Sequence, residues 1–110
     1  MNRVTLIGNV VKDLELKNYN SSDGNGSYVQ FTLAINDQRN KDKEAVFISI
    51  VSFGKQAEIL SKYLSKGRRI AIEGKLNNAS YINSNGEKKY SNNIILEEFQ
   101  FLDNKKENVI

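Results

Sequence analysis

Residues 46–67 read "VFISIVSFGKQAEILSKYLSKG", and the hydrophobic period changes partway along. The first half alternates as a strand does: Phe47 and Phe53 share one side, Ile48 and Ile50 the other. Gly54 breaks that pattern. Beyond it Ala57, Leu60, Tyr63 and Leu64 recur at helical spacing, with Ile59 flanking the stripe. Gly67 stands where a capping glycine ends a helix, and Lys66 suits the negative end of the helix dipole. A strand therefore runs directly into a helix. Alternation leaves two readings of the strand open. Either the isoleucines face a core and the rings face outward, or the rings themselves are buried in the core or in a subunit interface.

Upstream, "YVQFTLAIN" (28–36) sets Val29, Phe31, Leu33 and Ile35 against Tyr28, Gln30 and Thr32, the pattern of a half-buried strand. "NRVTLIGNV" (2–10) reads as a strand with Gly8 as a bulge or bend. Between these strands, "KNYNSSDGNGS" (17–27) reads as a loop, and "DQRNKDKEA" (37–45) as a charged loop. Downstream, "RRIAIEGKL" (68–76) points Ile70 and Ile72 inward. Asn85-Gly86 marks a tight hairpin turn into "KKYSNNIILEEFQFL". Residues 103–110 form a short charged tail, expected to fray. The order is three strands, one helix, two strands. It fits an all-β, five-stranded OB-fold barrel (a Greek key) with one helix between strands 3 and 4, in one domain over 1–102. A small α+β sheet with a helix on one face is the rival architecture.

Composition narrows the chemistry. The chain has 110 residues, 16 Lys and Arg against 13 Asp and Glu, and a net charge of +3. That is a weak lean toward polyanions. With neither cysteine nor histidine, it lacks disulfides, thiolate metal sites and the usual general base near neutral pH. Neither a metal nor a cofactor is expected. Glu97 and Glu98 are adjacent, so on a regular strand they point to opposite faces and form no carboxylate pair. Gly24 and Gly26 lack the lysine and hydroxyl of a phosphate loop. No enzyme is expected. No apolar run approaches the roughly 20 residues of a membrane span, and no signal-peptide core opens the chain, so a cytoplasmic location is expected.

OB-folds that bind single strands stack bases on exposed aromatics while Lys and Arg track the phosphates. Phe47 and Phe53 fit that use if they face outward. Tyr81 on the hairpin arm extends the candidate platform, and Arg3, Arg39, Lys55, Lys62, Lys66 and Lys75 are the candidate phosphate contacts. "MNRVTLIGNVVKDLEL", "VQFTLAIN", "FGKQAEILSKYLSKGRRIAIEGKL" and "NGEKKYSNNIILEEFQFL" resemble, in this order, segments of bacterial single-stranded DNA-binding proteins. The block from Phe53 to Gly74 is the most specific part. The resemblance implies outward rings, with Phe47, Phe53 and Tyr81 as the stacking residues and Arg39 near a further family aromatic. The positions of Phe47 and Tyr81 are often tryptophan in the family, and this chain has none.

The resemblance further implies sequence-independent binding and protection of single-stranded DNA in replication, recombination or repair. It implies a homotetramer, with dimers known among phage-type relatives. The strand "RVTLIG", if its edge were left unpaired, gives a separate reason to expect self-association. The family's flexible linker and acidic tip have no counterpart in "NKKENVI", so recruitment of replication proteins through a tail is not expected. The alternative role is an OB-fold adaptor in a replication-restart complex, similar to primosomal replication protein N.

Overall fold

The computed structural model describes residues 1–21, 24–36 and 45–102. Among these described residues six strands and one helix follow in the order β1 (Val4–Val10), β2 (Lys17–Ser21), β3 (Gly24–Ile35), β4 (Val46–Phe53), α1 (Gly54–Tyr63), β5 (Arg69–Ile82) and β6 (Lys88–Phe101). The strands hydrogen-bond in the order β1-β5-β6-β4-β3-β2, and β1 also pairs with β3 through Asn9↔Ala34 and Val10↔Leu33. Five strands thereby close into a ring, with β2 attached to β3 outside it. The pairs are antiparallel except β4 and β6, which run parallel through Ser49↔Asn93 to Val51↔Ile95. This is the OB-fold arrangement.

The segment read as a loop over 17–27 is instead largely a hairpin. Lys17–Ser21 pairs with Gly24–Tyr28, so the helix follows the fourth strand in chain order. The polar, glycine-rich composition hid it, because an edge ladder that adds no apolar residue to the core shows no hydrophobic alternation.

Alternation in β3, β4, β5 and β6 turns one side inward. Val29, Phe31, Leu33, Ile50, Ile70, Ile72, Ile94 and Leu96 are buried, and Ala57, Leu60 and Leu64 close the core from the helix side. Tyr63 and Ile59 are exposed, so the apolar stripe of α1 is narrower than its sequence suggests. The helix also stops before Gly67. Leu64 is the C-cap in extended conformation (φ −99°, ψ 129°), and it ends the helix by dropping its side chain into the core. Gly67, at φ +89°, instead serves the turn into β5, where its N–H donates to Val10 O at 2.8 Å.

Gly8 is the point of closure. A Cβ there would stand 2.5 Å from Ala34 O, so β1 and β3 approach this closely only because residue 8 has no side chain.

Candidate nucleic-acid interface

Residues paired across strands share a face, so the register fixes the outer side of the sheet. On β4 the outward residues are Phe47, Ser49, Val51 and Phe53. Opposite them on β3 lie Ala34, Thr32, Gln30 and Tyr28. Phe47 is 62% exposed and Phe53 48%. Of the two readings left open by alternation, the structure has the isoleucines inside and both rings outside. Through Ser49↔Asn93 and Asn77↔Asn93 the same side continues onto β6 and β5, ending at Tyr81 opposite Lys89. Tyr81 is 53% exposed. Ser49 accepts a hydrogen bond from Gln30 Nε2 at 2.8 Å, and Asn77 Nδ2 donates to Asn93 Oδ1 at 3.1 Å. The floor between the rings is therefore polar.

Phe53 sits at a strand–helix junction that leaves it little freedom. It is the N-cap of α1 with extended backbone (φ −122°, ψ 154°). The neighbouring Ser52 is fully buried, and its hydroxyl donates to Gln56 Oε1 at 2.9 Å. Gln56 Nε2 in turn donates to Glu97 O at 3.0 Å. This chain of bonds ties β4, α1 and β6 together directly behind the ring and satisfies the buried hydroxyl. On the outer side Phe53 meets Tyr28 at 6.3 Å and, edge-on, Tyr19 at 6.4 Å between ring centroids.

The hairpin arm carrying Tyr81 is closed by Asn83. Its carbonyl accepts from Gly86 N–H at 3.0 Å, and its side-chain oxygen accepts from the N–H groups of Asn85 and Glu87. Gly86 lies at φ +80°, while among the described residues no non-glycine has positive φ. The expected Asn-Gly turn, which needs both residues in the left-handed region, is thus replaced by a wider turn with Gly86 at its end.

The cations divide. Lys75 shares the outer side with Tyr81, but its ammonium lies 3.6 Å from the Glu97 carboxylate. Arg3 is ion-paired with Glu73. The hydrogen bond that Arg3 Nε donates to the Glu73 carboxylate, then the charge of Glu73, raises the guanidinium above its ordinary pKa. Lys55 lies in the first turn of α1, two residues from Phe53, and is exposed. Lys62 lies in the last turn, roughly 13 Å along the helix axis from Phe53 at 1.5 Å per residue. Lys66 follows the helix, and its backbone N–H donates to Asp13 Oδ1 at 2.9 Å. Arg39 and the 103–110 tail lie outside the described residues. The structure thus brings Phe47, Phe53, Lys75 and Tyr81 onto one sheet side with Lys55 at its end, and it leaves Lys62 and Lys66 apart from them.

One expectation about the carboxylates is corrected. A register shift at Glu73/Gly74 places a bulge at Glu97, so the strict alternation that separates Glu97 from Glu98 fails. Both line a cleft with Arg3 and Glu73 beside the start of β1. Among the described residues no cluster of His, Cys, Asp or Glu is arranged to hold a metal ion.

Sequence reading did not single out Tyr19 and Tyr28, which share the outer side with Phe53, nor Tyr90, which pairs with Ser80 on the other face of the arm from Tyr81. Tyr28 had a signal, since it alternates onto the side opposite Phe31. Tyr19 had none, because it lay in the segment read as loop. Tyr90 is exposed at the arm beside Lys88, whose ammonium lies 5.7 Å from its ring centroid.

A profile of the family described as "Single-strand binding protein family" matches residues 1–102. The chain belongs to that family. Among its relatives, a "Single-stranded DNA-binding protein" of Clostridium perfringens is 42% identical over 104 residues, covering 94% of this chain and 67% of its own length. One of Onion yellows phytoplasma is also 42% identical over 105 residues, covering 96% and 97% respectively. "Single-stranded DNA-binding protein 1" of Staphylococcus aureus is 38% identical over 111 residues, covering 98% and 69%. The match to this family takes in the whole barrel and the arm. No helix among the described residues is long and apolar enough to cross a membrane.

Proposed function

We propose that this member of the single-strand binding protein family binds and protects single-stranded DNA without regard to sequence, serving replication, recombination or repair, and that it catalyses no reaction. The binding unit is the barrel and arm, residues 1–102. The observation that carries the reading is the exposure of Phe47 and Phe53 on one outer sheet side, with Tyr81 continuing it. Exposed rings on a rigid sheet cost solvation and add nothing to the barrel's core. They can stack on any unpaired base, each stack contributing about 1–3 kcal/mol. Duplex DNA hides those faces and is bound weakly on this account. Lys55 contacts a phosphate, while Lys75 stands on the same side with its ammonium held by Glu97, so affinity falls as salt is added.

Family relatives named for single-stranded DNA binding support the reading. No observation favours the replication-restart adaptor. Self-association is part of the proposal: among the described residues β1 pairs with β3 only at Asn9 and Val10, leaving the edge from Val4 to Gly8 on that side for a second copy.

The deciding experiment replaces Phe47 and Phe53 together by alanine and titrates oligo(dT) and duplex DNA at low and high salt. The wild-type protein is expected to prefer the single strand, and the double variant to bind it at least about 30-fold more weakly from two lost stacks. Both rings are exposed, so the thermal midpoint should stay close to wild type. Unchanged oligo(dT) affinity in a folded double variant, or equal affinity of the wild type for duplex, refutes the proposal.

A further inference from the structure

The outer sheet side does not end at Phe53. Tyr28 is its cross-strand partner, Lys17 is opposite Tyr28, and Tyr19 is opposite Gly26. These residues share the pleat side of Phe53 and carry it onto the β2–β3 hairpin. Tyr19 leans across the hairpin: a Cβ on residue 26 would run into its ring and hydroxyl, so the ring rests on the backbone that glycine leaves bare. There its centroid is 6.3 Å from that of Tyr28, tilted by 49°, and 6.4 Å from that of Phe53, at 90°. Three rings thus hold one another in fixed orientation. Tyr19 keeps 41% of its surface exposed, on a short strand outside the closed ring.

We infer that bound single-stranded DNA continues past Phe53 over this corner, with a nucleobase held against Tyr19 and Tyr28 and a phosphate beside Lys17. This rests on the proposed single-strand binding and adds a subsite to it. The barrel does not need the Tyr19 ring, since among the described residues β2 pairs with β3 alone and adds none to the buried core. Rings already ordered by their neighbours lose little freedom when a base arrives, so stacking there is not offset by side-chain ordering. A phenol on the strand's path also offers a hydroxyl to a base edge or phosphate.

The test uses the wild-type protein and an oligo(dT) analogue carrying 5-iododeoxyuridine throughout. The complex is cross-linked with light and the adducts are mapped by peptide mass. Adducts on Tyr19 or Tyr28, together with Phe47 or Phe53, are expected. Adducts on the phenylalanines with none on either tyrosine overturn this inference and leave the parent reading standing. A protein that captures no oligonucleotide refutes both. In a parallel series, Tyr19→Leu keeps apolar bulk over Gly26 and removes the π-face, whereas Tyr19→Phe keeps the face. Tyr19→Leu should weaken oligo(dT) binding about 5-fold or more, one stack's worth, while Tyr19→Phe stays within about 2-fold. Wild-type affinity in a folded Tyr19→Leu variant also overturns the inference. Should that variant unfold, the cross-linking result decides.

Discussion

Single residues on the outer side follow simple rules of alternation, and their charges do not. The outward position of Phe47 and Phe53 was one of two outcomes allowed by the period of β4. Burial of Ile50 against Leu33 and Ile94 in the same core selects it. The cations were visible as letters, but their partners were not. Lys75 and Glu97 are 22 positions apart in the chain, and no local spacing announces that they meet. With its ammonium against a carboxylate, Lys75 neutralises a phosphate poorly. Glu97→Gln should therefore raise oligo(dT) affinity a few-fold at low salt. It should also steepen the log–log salt dependence by about 0.7, the release expected for one more phosphate contact on a single strand. The pair is exposed on both sides and worth about 0–1 kcal/mol, so stability should barely move. A salt titration of both proteins checks this, and an unchanged slope would show that Lys75 lies off the DNA path.

At the scale of elements, the hairpin of β5 and β6 does two jobs along its length. Up to Leu76↔Ile94 it is barrel wall, with Ile70, Ile72, Ile94 and Leu96 buried. Beyond that pair none of its residues is buried, and the arm stands out carrying Tyr81. Replacing residues 79–91 by an Asn-Gly turn that joins Asn78 to Asn92 should leave the thermal midpoint within about 5 °C, because no core contact is removed. Oligo(dT) binding should fall about 5-fold or more with loss of the Tyr81 stack. Calorimetry and fluorescence anisotropy read the two quantities separately. The existence of this hairpin was written in the Asn85-Gly86 dipeptide, whereas its turn geometry follows from Asn83, whose side chain collects the N–H groups of Asn85 and Glu87. The β2 strand shows the opposite case. A ladder of Asn, Ser and Gly carries no apolar period, so it became visible only once β3 was in place beside it.

For the whole molecule the governing event is closure of the ring, and it passes through Gly8. Gly8→Val would force a side chain against Ala34 O and Leu33, costing about 1–3 kcal/mol or more if the two strands separate. Urea unfolding should show a lowered midpoint, and a wild-type midpoint would mean that β1 does not approach β3 so closely. The edge of β1 beyond that crossing bears on assembly. Light scattering should give a multiple of the 12.5 kDa chain mass, and Ile7→Lys, which sets a charge on that exposed strand, should lower it. What the sequence by itself determined is local. The alternation in 28–36 and 46–53, the change of period at Gly54 and the hairpin at 85–86 specify strands, one helix and which residues share a side, because side-chain direction repeats every two or 3.6 residues within one segment. The tertiary structure alone decided that β1 meets β3, that a bulge at Glu97 lets it line one cleft with Glu98, that Arg3 and Lys75 are already ion-paired, and that Tyr19 joins Phe53. Each of these depends on residues distant in the chain coming together, and the energy of such a meeting depends on geometry that no spacing within a segment encodes.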